Sequence, residues 1–158
     1  PTKLGKAKPT VLELFAGAGG MSLGFKNAGF DTKWAVEKNR HAARTLRANI
    51  GQNSVMQECV RGFIKRSVEG VIDAYPKKGE VDHIHASPPC QGVSSANRFG
   101  SANDDDYNSR SLDFLNAVRH FTPKTCTYET DMVHLMARTI SILNNPISYP
   151  HFTLSQIR

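Results

Sequence analysis

The 158-residue sequence lacks any apolar run near the ~20 residues a helix needs to cross a bilayer. Its opening, PTKLGKAKPT, has no apolar core of the kind a secretory leader carries. Cysteine is scarce. Cys59, Cys90 and Cys126 are odd in number and far apart, which excludes a disulfide-stapled scaffold and points to a reducing, intracellular compartment. No internal repeat is visible, and with 39% hydrophobic against 22% charged residues the chain is too apolar to stay disordered. A chain of this length suits one domain that buries roughly 70% of the surface its unfolded form exposes. Lys and Arg number 20 against 14 Asp and Glu, so the net charge is +6, which suits a polyanionic partner. The start at Pro1 rather than Met fits a portion of a longer protein.

Hydrophobic patterning divides the chain into a basic tail (1–9, with Lys3, Lys6 and Lys8), a domain (10–143) and an irregular tail (144–158) holding Pro146 and Pro150. Thr10 to Phe15 reads as a strand that runs into the turn Gly17-Ala18-Gly19-Gly20, with a helix from Met21 to Asn27. Strand Phe30–Val36 and helix Asn39–Asn49 follow, the latter with Ala42, Ala43, Leu46 and Ile50 on one stripe and Gly51 past its end. The pattern then predicts a short strand over Ser54–Gln57, a helix over Val60–Tyr75 and a strand over Val81–Ala86 stopped by Pro88-Pro89. A polar stretch, 91–110, reads as a long functional loop. Helix Leu112–Phe121, strand Thr125–Glu129 and helix Met132–Leu143 complete the series. Alternating strands and helices predict an α/β fold with a mostly parallel sheet, whose ligand lies beyond the C-terminal strand ends.

The residues with chemistry fall at those ends. Gly17, Gly19 and Gly20 allow backbone to approach a ligand at a helix N-terminus, although the dinucleotide pattern G-x-G-x-x-G would require glycine where Ser22 stands. Glu37 ends the second strand, where an acid accepts from ribose hydroxyls, and the turn and the acid together favour an adenosine-type cofactor. Singly, each is also an ordinary tight turn and a surface acid. Glu58 ends the third strand and can reach an adenine amino group, or serve as a helix-start acid. In Ser87-Pro88-Pro89-Cys90-Gln91, two prolines fix the backbone before a thiol at a strand mouth, a setting for a nucleophile. Cys59 and Cys126 read as small core residues. Glu129, at the end of the fifth strand, points into the same crevice as Cys90 or into solvent. His83 and His85 share one strand face beside Asp82, yet lack zinc-type spacing and read as hydrogen-bonded core residues, with no metal expected. Arg40, Arg44 and Arg47, with the tail lysines, are phosphate contacts or a solvated helix face.

Residues Glu13-Leu14-Phe15-Ala16-Gly17-Ala18-Gly19-Gly20, Trp34-Ala35-Val36-Glu37-Lys38-Asn39, Ser87-Pro88-Pro89-Cys90-Gln91-Gly92-Val93-Ser94 and Thr127-Tyr128-Glu129 resemble, in order, the first, second, fourth and sixth signature blocks of DNA (cytosine-5) methyltransferases. The resemblance spans roughly Val11 to Leu135 and implies a Rossmann-like methyltransferase fold. It also implies S-adenosylmethionine as donor and a flipped cytosine in duplex DNA as acceptor. Cys90 and Glu129 would be catalytic, with cofactor contacts from Phe15, Gly17, Gly19, Gly20, Glu37, Glu58 and Pro89. The family's sixth block reads Glu-Asn-Val where this chain has Glu129-Thr130-Asp131, and Val93 stands where Phe is common. The Arg block, the target-recognition region and the closing Asn block are not recognisable, so the fold is expected to be truncated on its C-terminal side. The alternative is a non-catalytic family member that acts as a binding or regulatory module. A cysteine hydrolase would need a His beside Cys90. A nuclear location is expected for a eukaryotic source and a cytoplasmic one otherwise.

Overall fold

A computed structural model describes residues 7–70, 72–89 and 103–129, with side chains from residue 109 onward in the last span. Val11 to Leu14 are all buried, and a strand with no exposed face belongs in mid-sheet. Accordingly β1 (Thr10–Leu14) is the central strand, flanked by β2 (Asp31–Val36) on one side and β4 (His83–Ala86) on the other. With β3 (Val55–Met56) and β5 (Thr125–Tyr128) the order is β3-β2-β1-β4-β5, and every pairing is parallel. The chain walks outward from β1 to β3 and then returns to β4. The strand order therefore reverses beside β1, which places the ligand crevice at its C-terminal end.

Right-handed crossovers distribute the helices over both faces. α3 (Val60–Glu69) and α4 (Asn103–Phe121) cover Leu12, Leu14, Trp34, Val36, Ile84 and Ala86 with Phe63, Ile64, Phe114, Leu115, Val118 and Phe121. Each fully buried phenylalanine there contributes about 2–3 kcal/mol of apolar burial. On the opposite face α2 (Arg40–Ile50) sets Ala43 and Leu46 against Ala35 and Val55. α1 (Gly20–Asn27) lies on that face too, its Ser22 bonded to Glu13 and its Phe25 ring against His83 and His85.

Two helix boundaries differ from the pattern-based reading. α3 stops at Glu69 instead of reaching Tyr75, because Gly70 adopts the left-handed conformation (φ 65°) and its N–H closes on Arg66 and Ser67 carbonyls. α4 begins at Asn103, nine residues before Leu112, so residues 103–110 of the expected polar loop are helix. At the opposite end of the sheet from the crevice, the Asp82 carboxylate accepts from Thr10 N–H (2.8 Å), Thr10 Oγ1 (3.1 Å) and Lys124 Nζ, which ties the beginnings of β1, β4 and β5 together. Residues 130–158, including the expected helix Met132–Leu143, lie outside the described residues.

Candidate active site

Beyond the C-terminal ends of β1 to β4 lies a cleft of about 580 Å³. Each of these strands delivers residues to it: Phe15 and Gly17 after β1, Glu37 to Asn39 after β2, Glu58 and Cys59 after β3, Ser87 and Pro89 after β4. α3 and α4 close the side with Arg61 and Asp113, which form an ion pair of 3.1 Å, and with Ser109 and Arg110.

The turn after β1 is conformationally demanding. Phe15 (φ 58°), Gly17 (φ 56°) and Gly19 (φ 94°) all have positive φ. A phenylalanine in that region costs about 1–3 kcal/mol of backbone strain, a cost the packed surroundings offset. Phe15 reaches both the cleft and the apolar core. A Cβ at Gly17 would meet nothing within 4 Å, so its missing side chain leaves cleft space open. Gly19 is favoured for another reason: its φ of 94° strains any other residue, and a Cβ there would sit 2.7 Å from Leu46 Cδ1, so Leu46 would have to shift. Gly19 and exposed Gly20 do not line the cleft. Nor do the glycine amides form an open nest. Gly17 N–H donates to Glu37 Oε2 (2.9 Å) and Gly19 N–H to the Ala16 carbonyl (3.1 Å).

Glu37 is therefore the pivot of the site. Its Oε1 accepts from Asn39 N–H (2.6 Å), so one carboxylate bridges the glycine turn and the start of α2. Asn39 in turn caps α2 by accepting from the His41 and Ala42 amides. Two of the four lone-pair sites on Glu37 are taken, which leaves acceptors for hydroxyl donors in the cleft. Glu58 also lines the cleft and is held by Arg66 and Tyr75. Pro89 is exposed at the rim, and its carbonyl accepts from Arg110 Nη1 (2.9 Å). Of the seven candidate cofactor residues, the structure brings Phe15, Gly17, Glu37, Glu58 and Pro89 into one cleft and leaves Gly19 and Gly20 outside it.

Of the two candidate catalytic residues, Cys90 lies outside the described residues. Glu129 is exposed, does not line the cleft, and continues the β4–β5 ladder by donating its N–H to the Ala86 carbonyl (2.9 Å). Cys59 is not a core residue as expected. It is exposed, lines the cleft and caps α3, its Sγ accepting from Gly62 N–H (3.4 Å). Cys126 does pack against the core, and burial pushes its thiol up to about 11. His83 and His85 are buried and hydrogen-bonded to Thr125 and Thr127, and among the described residues no group of three or more His, Cys, Asp or Glu side chains converges on a common point. Arg40 and Arg44 are exposed on α2, whereas Arg47 donates to Gln57 Oε1 (2.9 Å). The α3 and α4 contributions (Arg61, Ser109, Arg110, Asp113) carry no local motif and are visible only once the helices are packed.

A five-stranded parallel sheet with a cleft at its topological switch, an acid after β2 and a strained glycine turn after β1 places the chain in the fold class of S-adenosylmethionine-dependent methyltransferases. The crystal structure of the SAM-dependent methyltransferase from Agrobacterium tumefaciens superposes over 87% of this chain and 44% of its own, with a TM-score of 0.54 at 15% identity, a likeness of fold alone. The sequence narrows the class to a family. The profile of C-5 cytosine-specific DNA methylases matches residues 9–129, and the chain belongs to that family. It is 34% identical to DNA (cytosine-5)-methyltransferase 1 of Gallus gallus over 130 residues, 78% of this chain and 8% of that one. It is 37% identical to type II methyltransferase M.DdeI of Desulfomicrobium norvegicum over 136 residues, 83% of this chain and 30% of that one. The chain thus spans well under half the length of these relatives.

Proposed function

We propose that this chain is the cofactor-binding and catalytic portion of a DNA cytosine-5 methyltransferase, acting on cytosine in duplex DNA. The observation that carries the reading is the Glu37 carboxylate, fixed by the Gly17 and Asn39 amides at the wall of a cleft of about 580 Å³. S-adenosylmethionine fits these residues: Glu37 retains acceptors for ribose hydroxyls, Glu58 offers a carboxylate to an amino group, and Gly17 leaves room for the nucleoside. When bound, S-adenosylmethionine supplies an electrophilic methyl group on a sulfonium sulfur.

The protein's part is to make carbon 5 of cytosine nucleophilic. In this proposal the Cys90 thiolate adds to carbon 6, a C–S bond forms, and the displaced π electrons give carbon 5 enamine character. Glu129 binds the N3 and amino edge of the base and supports the charge that develops during addition. Carbon 5 so activated could take the methyl group that bound S-adenosylmethionine would supply, the sulfonium S–CH3 bond breaking as the new C–C bond forms. Loss of the carbon-5 proton would then expel Cys90 and restore the ring as 5-methylcytosine. The base has to leave the helical stack for this attack, at a cost of a few kcal/mol.

Calorimetric titration with S-adenosylhomocysteine tests the cofactor half. Removing a charged acceptor from two hydroxyl donors is expected to weaken binding about 100-fold in Glu37→Ala, with circular dichroism showing a folded variant. Equal affinity in the variant, or no binding by a folded wild-type chain, overturns the reading. Cys90-dependent trapping of 5-fluorocytosine DNA tests the catalytic half.

A further inference from the structure

One wall of the cleft holds a closed triangle of side chains that the proposed chemistry leaves unexplained. Glu58 Oε2 accepts from Arg66 Nη2, Glu58 Oε1 accepts from Tyr75 Oη, and Arg66 Nε donates to Tyr75 Oη at 3.2 Å. The Glu58 side chain is only 12% exposed, against 44% for Arg66, so the cation covers the carboxylate from the solvent side. Tyr75 is itself fixed, its ring stacked on the fully buried Phe63 at 5.2 Å and 28°. Gly62 completes the arrangement. A Cβ there would lie 3.2 Å from Arg66 Nη2 and 3.5 Å from Glu58 Oε2, so glycine leaves the guanidinium room to reach the carboxylate across the first turn of α3.

We propose that Arg66 and Tyr75 are positioning residues that make Glu58 an acceptor-only recognition element, so that the cleft selects a purine with an amino donor at carbon 6 over one with a carbonyl there. The inference rests on the adenosine reading of the cleft and adds the origin of its base selectivity. A carboxylate paired to a guanidinium has only acceptors to present. Arg66 and Tyr75 take one lone-pair site on each oxygen, and Glu58 keeps the rest while it lines the cleft. A 6-amino group donates to that carboxylate, whereas a 6-carbonyl would set oxygen against oxygen. A buried polar group left without its partner is what makes such discrimination steep. Without the triangle, Glu58 would be free to turn toward solvent and the preference would weaken.

The experiment compares S-adenosylhomocysteine with S-inosylhomocysteine by calorimetry on the chain. Wild type is expected to prefer the adenosine ligand at least ~100-fold. Tyr75→Phe keeps the stack on Phe63 and removes only the hydroxyl, and Arg66→Gln removes the cation. Each is expected to cut the preference by about 5- to 10-fold, chiefly by weakening the adenosine ligand. Glu58→Gln, which can donate to a carbonyl, brings the two ligands within about 10-fold of each other. Equal weakening of both ligands in Tyr75→Phe and Arg66→Gln would be a general structural effect and overturns the proposal. A wild type that binds both ligands equally also overturns it, while the adenosine site stands. Binding of neither ligand removes the adenosine reading itself, and the proposal with it.

Discussion

The two faces of the sheet are built on opposite chemistry although the same strands supply both. Toward α3 and α4, Leu12, Leu14, Ile84 and Ala86 pack in one cluster with aromatic and aliphatic side chains. Toward α1, the alternate positions on the same strands are Glu13, His83 and His85, with Thr125 and Thr127 on β5 beside them. Glu13 is 2% exposed and accepts from Ser22 Oγ, and burial pushes its carboxyl up to about 7. Burial pushes His83 and His85 down to about 4, and His85 further disfavours a charge on His83. One face is held by volume and area, which ignore pH. On the other, beside the apolar packing of α2 on Ala35 and Val55, the part under α1 is held by hydrogen bonds between groups whose charged forms it rejects.

The largest effect that sharpens this contrast is a cavity on the apolar face. Phe114 is 2% exposed and its ring lies 4.9 Å from that of Tyr128. Phe114→Ala is expected to cost about 3–5 kcal/mol in urea unfolding, with the same loss at pH 5 and pH 8. A loss that changed with pH would break the separation of the two faces. Next comes Glu13→Gln, which mimics the protonated acid permanently. The folded pKa of Glu13 lies above its ordinary 4.5, so its contribution is present below about pH 4.5 and is lost as pH rises through 7. The variant should therefore match wild type near pH 4.5 and exceed it by about 3 kcal/mol at pH 8. The histidines have the opposite sign: with folded values near 4, their contribution is present above 6.5 and is lost as pH falls toward 4. Two histidines outweigh one carboxyl, so wild-type stability should rise with pH between 4.5 and 6.5, and more steeply in Glu13→Gln. A flat profile in both proteins would refute the polar-face account.

Much of this division is legible in the chain. Leu12-Glu13-Leu14, His83-Ile84-His85-Ala86 and Thr125-Cys126-Thr127-Tyr128 each alternate with period two, so the polar stripe can be read once the strands are aligned. The glycine turn and Glu37 are legible because strand ends in a parallel sheet converge by topology. What escaped was non-local or hidden by composition. Val71 and Ile72 prolong the helical spacing of α3, and nothing in that spacing announces that Gly70 turns left-handed. The start of α4 is polar, so it shows no apolar stripe. Arg66 and Tyr75 stand 8 and 17 residues from Glu58, and only the packing of α3 and the loop after it brings the three together. Cys59 was misread because a helix cap and a core filler look alike without the third dimension.

The smallest test separates two threonines that the sequence makes equivalent. Thr125 Oγ1 lies 2.8 Å from His83 Nδ1, but His83 Nε2 also has Thr127 Oγ1 at 3.1 Å. His85 relies on Thr127 alone: its Nδ1 is 2.7 Å from that hydroxyl, and its buried Nε2 has no partner among the described residues. Thr127→Val keeps the shape and β-branching while leaving His85 with no hydrogen bond, an unsatisfied buried group that costs about 2 kcal/mol. Thr125→Val leaves His83 one partner and should cost about 1 kcal/mol. Urea unfolding at pH 8, where both imidazoles are neutral, reads the difference directly. Equal losses would mean that the hydroxyls act independently, and the polar face would then be a set of separate pairs instead of a network centred on Thr127.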